Sequence, residues 1–145
     1  MSKATILVAF FAVLGLSSFA ALRIATGDDK PKQGKERVFE MRTYIAAPGK
    51  LGALNARFRN HTNKLFVQHG MELIGYWTPA QGPDAENTLI YILAYPDKES
   101  ADKSWKAFRD DPEWKKVVAE TEANGKLVEK VISVYMKPTD YSPIK

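Results

Sequence analysis

The chain has 145 residues, 21 lysines and arginines against 17 acids, and no cysteine. That length allows one domain with extensions, and a 45% hydrophobic share is enough to build its core. The basic residues are interleaved with acids rather than clustered, which gives a nucleic-acid surface little support. The missing cysteines exclude disulfides, thiolate metal sites and thiol nucleophiles.

Residues 1–21 read as a targeting segment. Lys3 supplies a basic start, residues 4–16 an uncharged apolar run, and Ser18-Phe19-Ala20 small residues at the positions that favour cleavage after Ala20. The alternative is an uncleaved anchor, because residues 4–22 carry no charge and are just long enough to span a bilayer. Both predict an exported domain, periplasmic or secreted, and the second adds a membrane tether. Residues 22–36 read as a flexible linker, since Thr26 to Glu36 has no apolar anchor. Residues 37–145 are left as the folded domain with a C-terminal arm.

The domain opens on a strand from Arg37 to Tyr44. Alternation puts Val38, Glu40, Arg42 and Tyr44 on one face, with Phe39, Met41, Thr43 and Ile45 on the other. The second set is expected to be core. The first, mixed set is expected to meet a partner subunit. A helix then begins at Pro48 and carries Leu51, Leu54, Phe58, Leu65 and Gln68 on one stripe, stopping at His69-Gly70. His61 falls between Phe58 and Leu65 on that stripe, so it is expected to face the sheet.

Residues 71–78 form the second strand, with Leu73, Gly75 and Trp77 on one face and Ile74, Tyr76 and Thr78 on the other. Residues 79–86 are a Pro/Gly loop and residues 87–95 a third, strongly apolar strand, so the two strands predict a hairpin. Asp97 is placed to cap a helix over residues 98–109 with Ala101, Trp105 and Phe108 inward. Asp111-Pro112 caps and starts another, with Trp114, Val117, Val118 and Thr121 inward. Asn124-Gly125 closes it. A last strand over residues 127–136 alternates Val131, Ser133 and Tyr135 against Ile132, Val134 and Met136, and Pro138 and Pro143 make the tail extended. The order β-α-β-β-α-α-β predicts an α+β, ferredoxin-like fold with a four-stranded antiparallel sheet and helices on one face.

Little in the chain supplies chemistry outright. The two histidines, His61 and His69, are roughly 12 Å apart along one helix and cannot share an ion, so no metal site is expected. There is no nucleophile elbow and no glycine-rich phosphate loop, so no cofactor is expected either. His61 is the candidate proton acceptor, against the plainer reading of a hydrogen-bonded structural imidazole. Glu40 and Arg42 can form a carboxylate-binding pair or a structural ion pair. With Tyr44, Trp77, Tyr91 and Trp105 they are the candidate lining of a pocket for a flat, apolar or aromatic ligand, unless those rings are core packing.

Phe39-Glu40-Met41-Arg42-Thr43-Tyr44, Pro48-Gly49-Lys50, Gly75-Tyr76-Trp77 and Asp111-Pro112-Glu113-Trp114-Lys115, in that order, resemble the NIPSNAP domain over about residues 37–137. The resemblance implies a dimeric α/β barrel, in which two ferredoxin-like subunits pair their open sheet faces. Its relatives include cofactor-independent monooxygenases and haem-degrading enzymes. The family supplies no agreed catalytic set and no assigned reaction for bacterial members. The implied function is an exported homodimer that binds a small apolar ligand or a protein. The alternatives are a cofactor-independent monooxygenase acting on an aromatic substrate, with His61 as base, and a structural, envelope-associated dimer.

Overall fold

The structure is a computed structural model that describes residues 37–145. The targeting segment and the whole linker lie outside the described residues. Four strands, β1 (Val38–Ala46), β2 (Glu72–Trp77), β3 (Thr88–Tyr95) and β4 (Val128–Met136), form one sheet in the order β2-β3-β1-β4. Every neighbouring pair is antiparallel. This is the ferredoxin-like arrangement that the order of elements predicts.

Helix α1 (Leu51–Arg57) passes through a π-helical turn, Phe58–Thr62, into α2 (Asn63–Gln68). Gly70, at φ 77°, then ends the helix where a residue with a Cβ would be strained. Helices α3 (Lys98–Asp110) and α4 (Pro112–Thr121) follow β3. Asp97 caps α3 by accepting from the Ser100 amide at 2.8 Å. Asp111 caps α4 by accepting from the Glu113 amide at 2.7 Å. Both aspartates are in the capping positions that the sequence predicts.

The core lies between the helices and one face of the sheet. Leu54, Phe58, Leu65 and Phe66 come from the first helix, Ala101, Trp105 and Phe108 from α3, and Leu89, Tyr91 and Leu93 from β3. The rings of Phe58, Phe66 and Tyr91 pack at 5.1–6.0 Å between centroids, mostly tilted or edge-on, as aromatic quadrupoles favour.

The face assignment of β1 is corrected by this packing. Glu40 and Tyr44 point at the helices: Tyr44 packs edge-on against Phe58, and Glu40 is only 1% exposed. The other face carries Phe39, Met41, Thr43 and Ile45, whose register partners on β3 are Ala94, Ile92, Ile90 and Thr88; Met41, Thr43 and Ile45 are partly exposed, while Phe39 is buried beside the C-terminal arm. Tyr91 and Tyr95 are likewise buried rather than left as open aromatic surface. The mixed polar face of β1, expected to be the open one, is the face that the helices cover. In the fold, the polar groups are buried because each finds a partner there, and the open face is the apolar one.

A second correction concerns β2. The register shifts between Leu73 and Gly75, so Leu73 sits opposite Leu93 while Tyr76 sits opposite Tyr91. One extra residue breaks the simple alternation. Leu73 and Tyr76 therefore both pack on the core, and Trp77 goes to the open face. A Cβ on Gly75 would come within 2.6 Å of the Trp77 ring, so the indole lies across the glycine.

The helix layer is pinned at one corner by His69, whose Nε2 is 2.7 Å from Asp111 Oδ2. The imidazole bond, followed by the Glu113 amide, holds the Asp111 carboxyl below the usual aspartate range. A depressed folded value means stability that is present above the ordinary aspartate pKa and lost as pH falls through the folded one. Asp111→Asn is therefore expected to remove part of the acid limb of the stability curve. Urea midpoints measured from pH 7 down to pH 3 check this, and an unchanged acid limb would refute it.

Candidate functional site

Strand alternation brings Glu40 and Arg42 to the same side of β1, under α3. One carboxylate then collects four donors. Glu40 Oε1 accepts from Arg42 at 2.8 Å and from the Ser133 hydroxyl at 2.6 Å. Oε2 accepts from the Tyr95 hydroxyl at 2.9 Å and from the Trp105 indole N–H at 2.6 Å. These bonds use about all four lone-pair positions that a carboxylate offers. Glu40 is thus an anchor that orients β3, β4 and α3 on β1.

Arg42 is the chemically open member of the cluster. Its guanidinium lies 4.1 Å from the Trp105 ring centroid and 5.6 Å from that of Tyr44, cation–π geometry on two sides. Burial opposes its charge, but Tyr44, Tyr91 and Glu40 outweigh this and raise its pKa further, so it is always a cation. Glu40 is the counter-charge in direct hydrogen-bond contact with it. The Arg42 Nε–H is buried with no hydrogen-bond partner, and so is the Tyr91 hydroxyl. Burial drives the Tyr91 pKa up, with Tyr44 second, and the Tyr95 pKa up, with Glu40 second. Both phenols are therefore fixed as neutral groups.

Toward β4 this face is uncovered by any described helix. Arg42 sits opposite Ser133, Tyr44 opposite Val131, and Glu40 opposite Tyr135. Val131 is 43% exposed and Tyr135 37%, while the Arg42 side chain is 16% exposed. The result is a shelf with an aromatic wall at Trp105 and Tyr44, a cation at its base and an apolar edge at Val131.

Of the candidate ligand residues, Glu40, Arg42, Tyr44, Tyr91 and Trp105 are brought together in this cluster. Trp77 is not; it stands on the opposite face, 50% exposed. His61 is not part of it either. The π turn widens the helix between Phe58 and Thr62, so Thr62, 1% exposed, takes the inward place expected for His61. The Thr62 hydroxyl donates to the Arg57 carbonyl at 3.3 Å across the wide turn. His61 instead lines an open cleft against α4, with Arg57 and Thr121. Tyr95 and Ser133 were not singled out as site residues. Their shared parity with Tyr91 and Tyr135 was visible, but the register that brings them to Glu40 was not. Among the described residues, no group of His, Asp and Glu could hold a metal ion.

The NIPSNAP family model matches residues 39–143. A NIPSNAP family protein of unknown function from Agrobacterium tumefaciens superposes with a TM-score of 0.66 at 23% identity, covering 77% of this chain and 96% of its own. An uncharacterized NIPSNAP-like domain protein from Burkholderia xenovorans gives 0.65 at 21%, covering 75% and 90%. A second Burkholderia xenovorans protein, an uncharacterized NIPSNAP domain protein, gives 0.62 at 24%, covering 73% and 98%. No curated protein matches the sequence. A family model that spans nearly all the described residues, on the fold its solved members share, makes this chain a member of the NIPSNAP family.

Proposed function

We propose that the chain is an exported, homodimeric binding domain whose Arg42 shelf takes a flat aromatic ligand carrying an acidic group. The observation that supports this best is the state of Arg42. It is a permanent cation clamped between two rings, with an unpaired Nε–H, at the foot of a partly exposed apolar shelf. A planar carboxylate can accept from a guanidinium edge while its ring packs against the partly exposed Tyr44 and Val131. Export rests on the apolar run of residues 4–16 and the small residues before position 21.

A non-catalytic role is favoured over aromatic oxygenation. Glu40 is saturated with donors and His61 opens into a different cleft, so neither of these two candidate bases is free to serve the shelf.

Isothermal titration of the full chain with 2-naphthoate checks the reading, with 2-naphthalenemethanol as the neutral control. Saturable binding of the acid is expected, with the alcohol about tenfold weaker or more, since a charge-assisted hydrogen bond contributes roughly 1.5–3 kcal/mol. Equal binding of the two, or none of either, rejects the proposal.

A further inference from the structure

The cleft beside the π turn has properties that the shelf does not share. It measures about 250 Å³ and lies between the first helix and α4. Ala53, Ala56 and Leu127 give it small apolar walls, and Arg57, Asn60, His61 and Thr121 give it polar ones.

Arg57 is unusual here. It is only 5% exposed, yet among the described residues its side-chain hydrogen bonding is one contact, to Glu122 Oε1 at 2.8 Å. Its guanidinium has five N–H donors, and the Nε–H is buried with no partner. One face of it is covered by the Trp114 ring at 5.3 Å. Glu122 is itself shared, since the Leu127 amide donates to it at 3.4 Å.

The π turn decides what else reaches the cleft. Because Thr62 takes the inward position, Asn60 and His61 turn outward toward α4. Such turns recur at functional sites because they re-aim side chains without breaking a helix. Asn60 and His61 bring an amide N–H₂ and a ring N–H. Thr121 spends its hydroxyl proton on the Val117 carbonyl at 2.7 Å and adds no donor.

Together these groups are rich in donors and hold one buried, under-used cation. We infer that the cleft is a binding site for a small monocarboxylate with a short, branched apolar body. The carboxylate sits on the π-turn side, near Arg57, Asn60 and His61. The body lies against Ala53, Ala56 and Leu127. Glu122 already neutralises part of the Arg57 charge, so a single negative charge suits the site better than a dianion such as phosphate. The volume is ample for an acid of a few carbons.

The test uses the full chain, followed by amide and histidine-ring NMR signals during titration with sodium isobutyrate. Saturable shifts are expected at Asn60, His61 and Thr121, with none at Arg42 or Trp105. Isobutyramide, of the same shape without the charge, should give no saturable shift. Asn60→Asp, at an exposed rim position that the fold does not need, should weaken isobutyrate at least tenfold by replacing a donor with a like charge. Inorganic phosphate should bind more weakly than isobutyrate. Absence of saturation up to about 10 mM, equal response to the amide, or an unaltered affinity in Asn60→Asp overturns the inference. Shifts confined to the Arg42 cluster also overturn it, and would count for the shelf instead.

Discussion

Replacing Glu40 by leucine is expected to destabilise the domain by about 3–5 kcal/mol, because it strands the Arg42 cation in a nearly dry site. For a domain of this size each kcal/mol moves the melting temperature by about 4–8 °C. The loss should therefore be at least about 12 °C. Arg42→Met should cost a similar amount, leaving an uncompensated carboxylate that is 1% exposed. An isolated pair would be rescued by removing both charges. This pair is not isolated. The double variant Glu40→Leu/Arg42→Met still leaves the Tyr95 hydroxyl and the Trp105 indole N–H without the acceptor they use at 2.9 and 2.6 Å. Each buried donor left unmade costs about 1–3 kcal/mol. Ser133 is at the exposed edge and can turn to water. The double variant should thus recover only part of the loss, and adding Tyr95→Phe should recover more. Thermal melts of the four variants at matched concentration check this. Full rescue by the double substitution alone would show that Glu40 does not hold Tyr95 and Trp105.

The order and type of the strands and helices, the two aspartate caps and the stop at Gly70 were legible because each is set by residues within a few positions, whereas the first helix starts at Leu51 and leaves Pro48 in the turn before it. The order of elements then fixed the topology, and with it the pairing of β1 with both β3 and β4. Which face of β1 lies inward was not legible. Local hydrophobicity favoured Phe39, Met41 and Ile45 over Glu40 and Arg42. The deciding term is non-local: four donors, three of them more than fifty residues away, converge on Glu40 and satisfy it. The error at His61 has another origin. A regular helix admits either His61 or Thr62 between Phe58 and Leu65. Only the π turn, with the Thr62 hydroxyl folded onto the Arg57 carbonyl, selects Thr62. Arg57 went unnoticed because a single arginine in an amphipathic helix reads as solvated, and its partner Glu122 lies beyond three further elements.

Val134→Glu is expected to convert the proposed dimer into a monomer while leaving the subunit folded. Val134 is 42% exposed on the uncovered face, directly opposite Met41. That face also carries the partly exposed Met41 and Ile92, the exposed Ile132 and, on the far edge strand, the half-exposed Trp77, an apolar surface of the kind a lone soluble domain rarely leaves open. If two copies pair these faces, Val134 is buried between sheets, and a carboxylate there has no partner; removing it from water costs several kcal/mol. If the chain is a monomer, the same substitution is a surface change within about 0.5 kcal/mol. Val131 provides the control. It lies on the same strand with 43% exposure, but strand alternation turns it to the helix side, beside the shelf. Val131→Glu should therefore leave the mass unchanged. Trp77→Ala should act like Val134→Glu but less completely, since loss of a central aromatic contact costs about 2 kcal/mol or more, roughly thirtyfold in dissociation constant. Light scattering at micromolar concentration reads all three. A dimer that survives Val134→Glu, or one that Val131→Glu dissociates instead, would place the interface on the other side of the sheet.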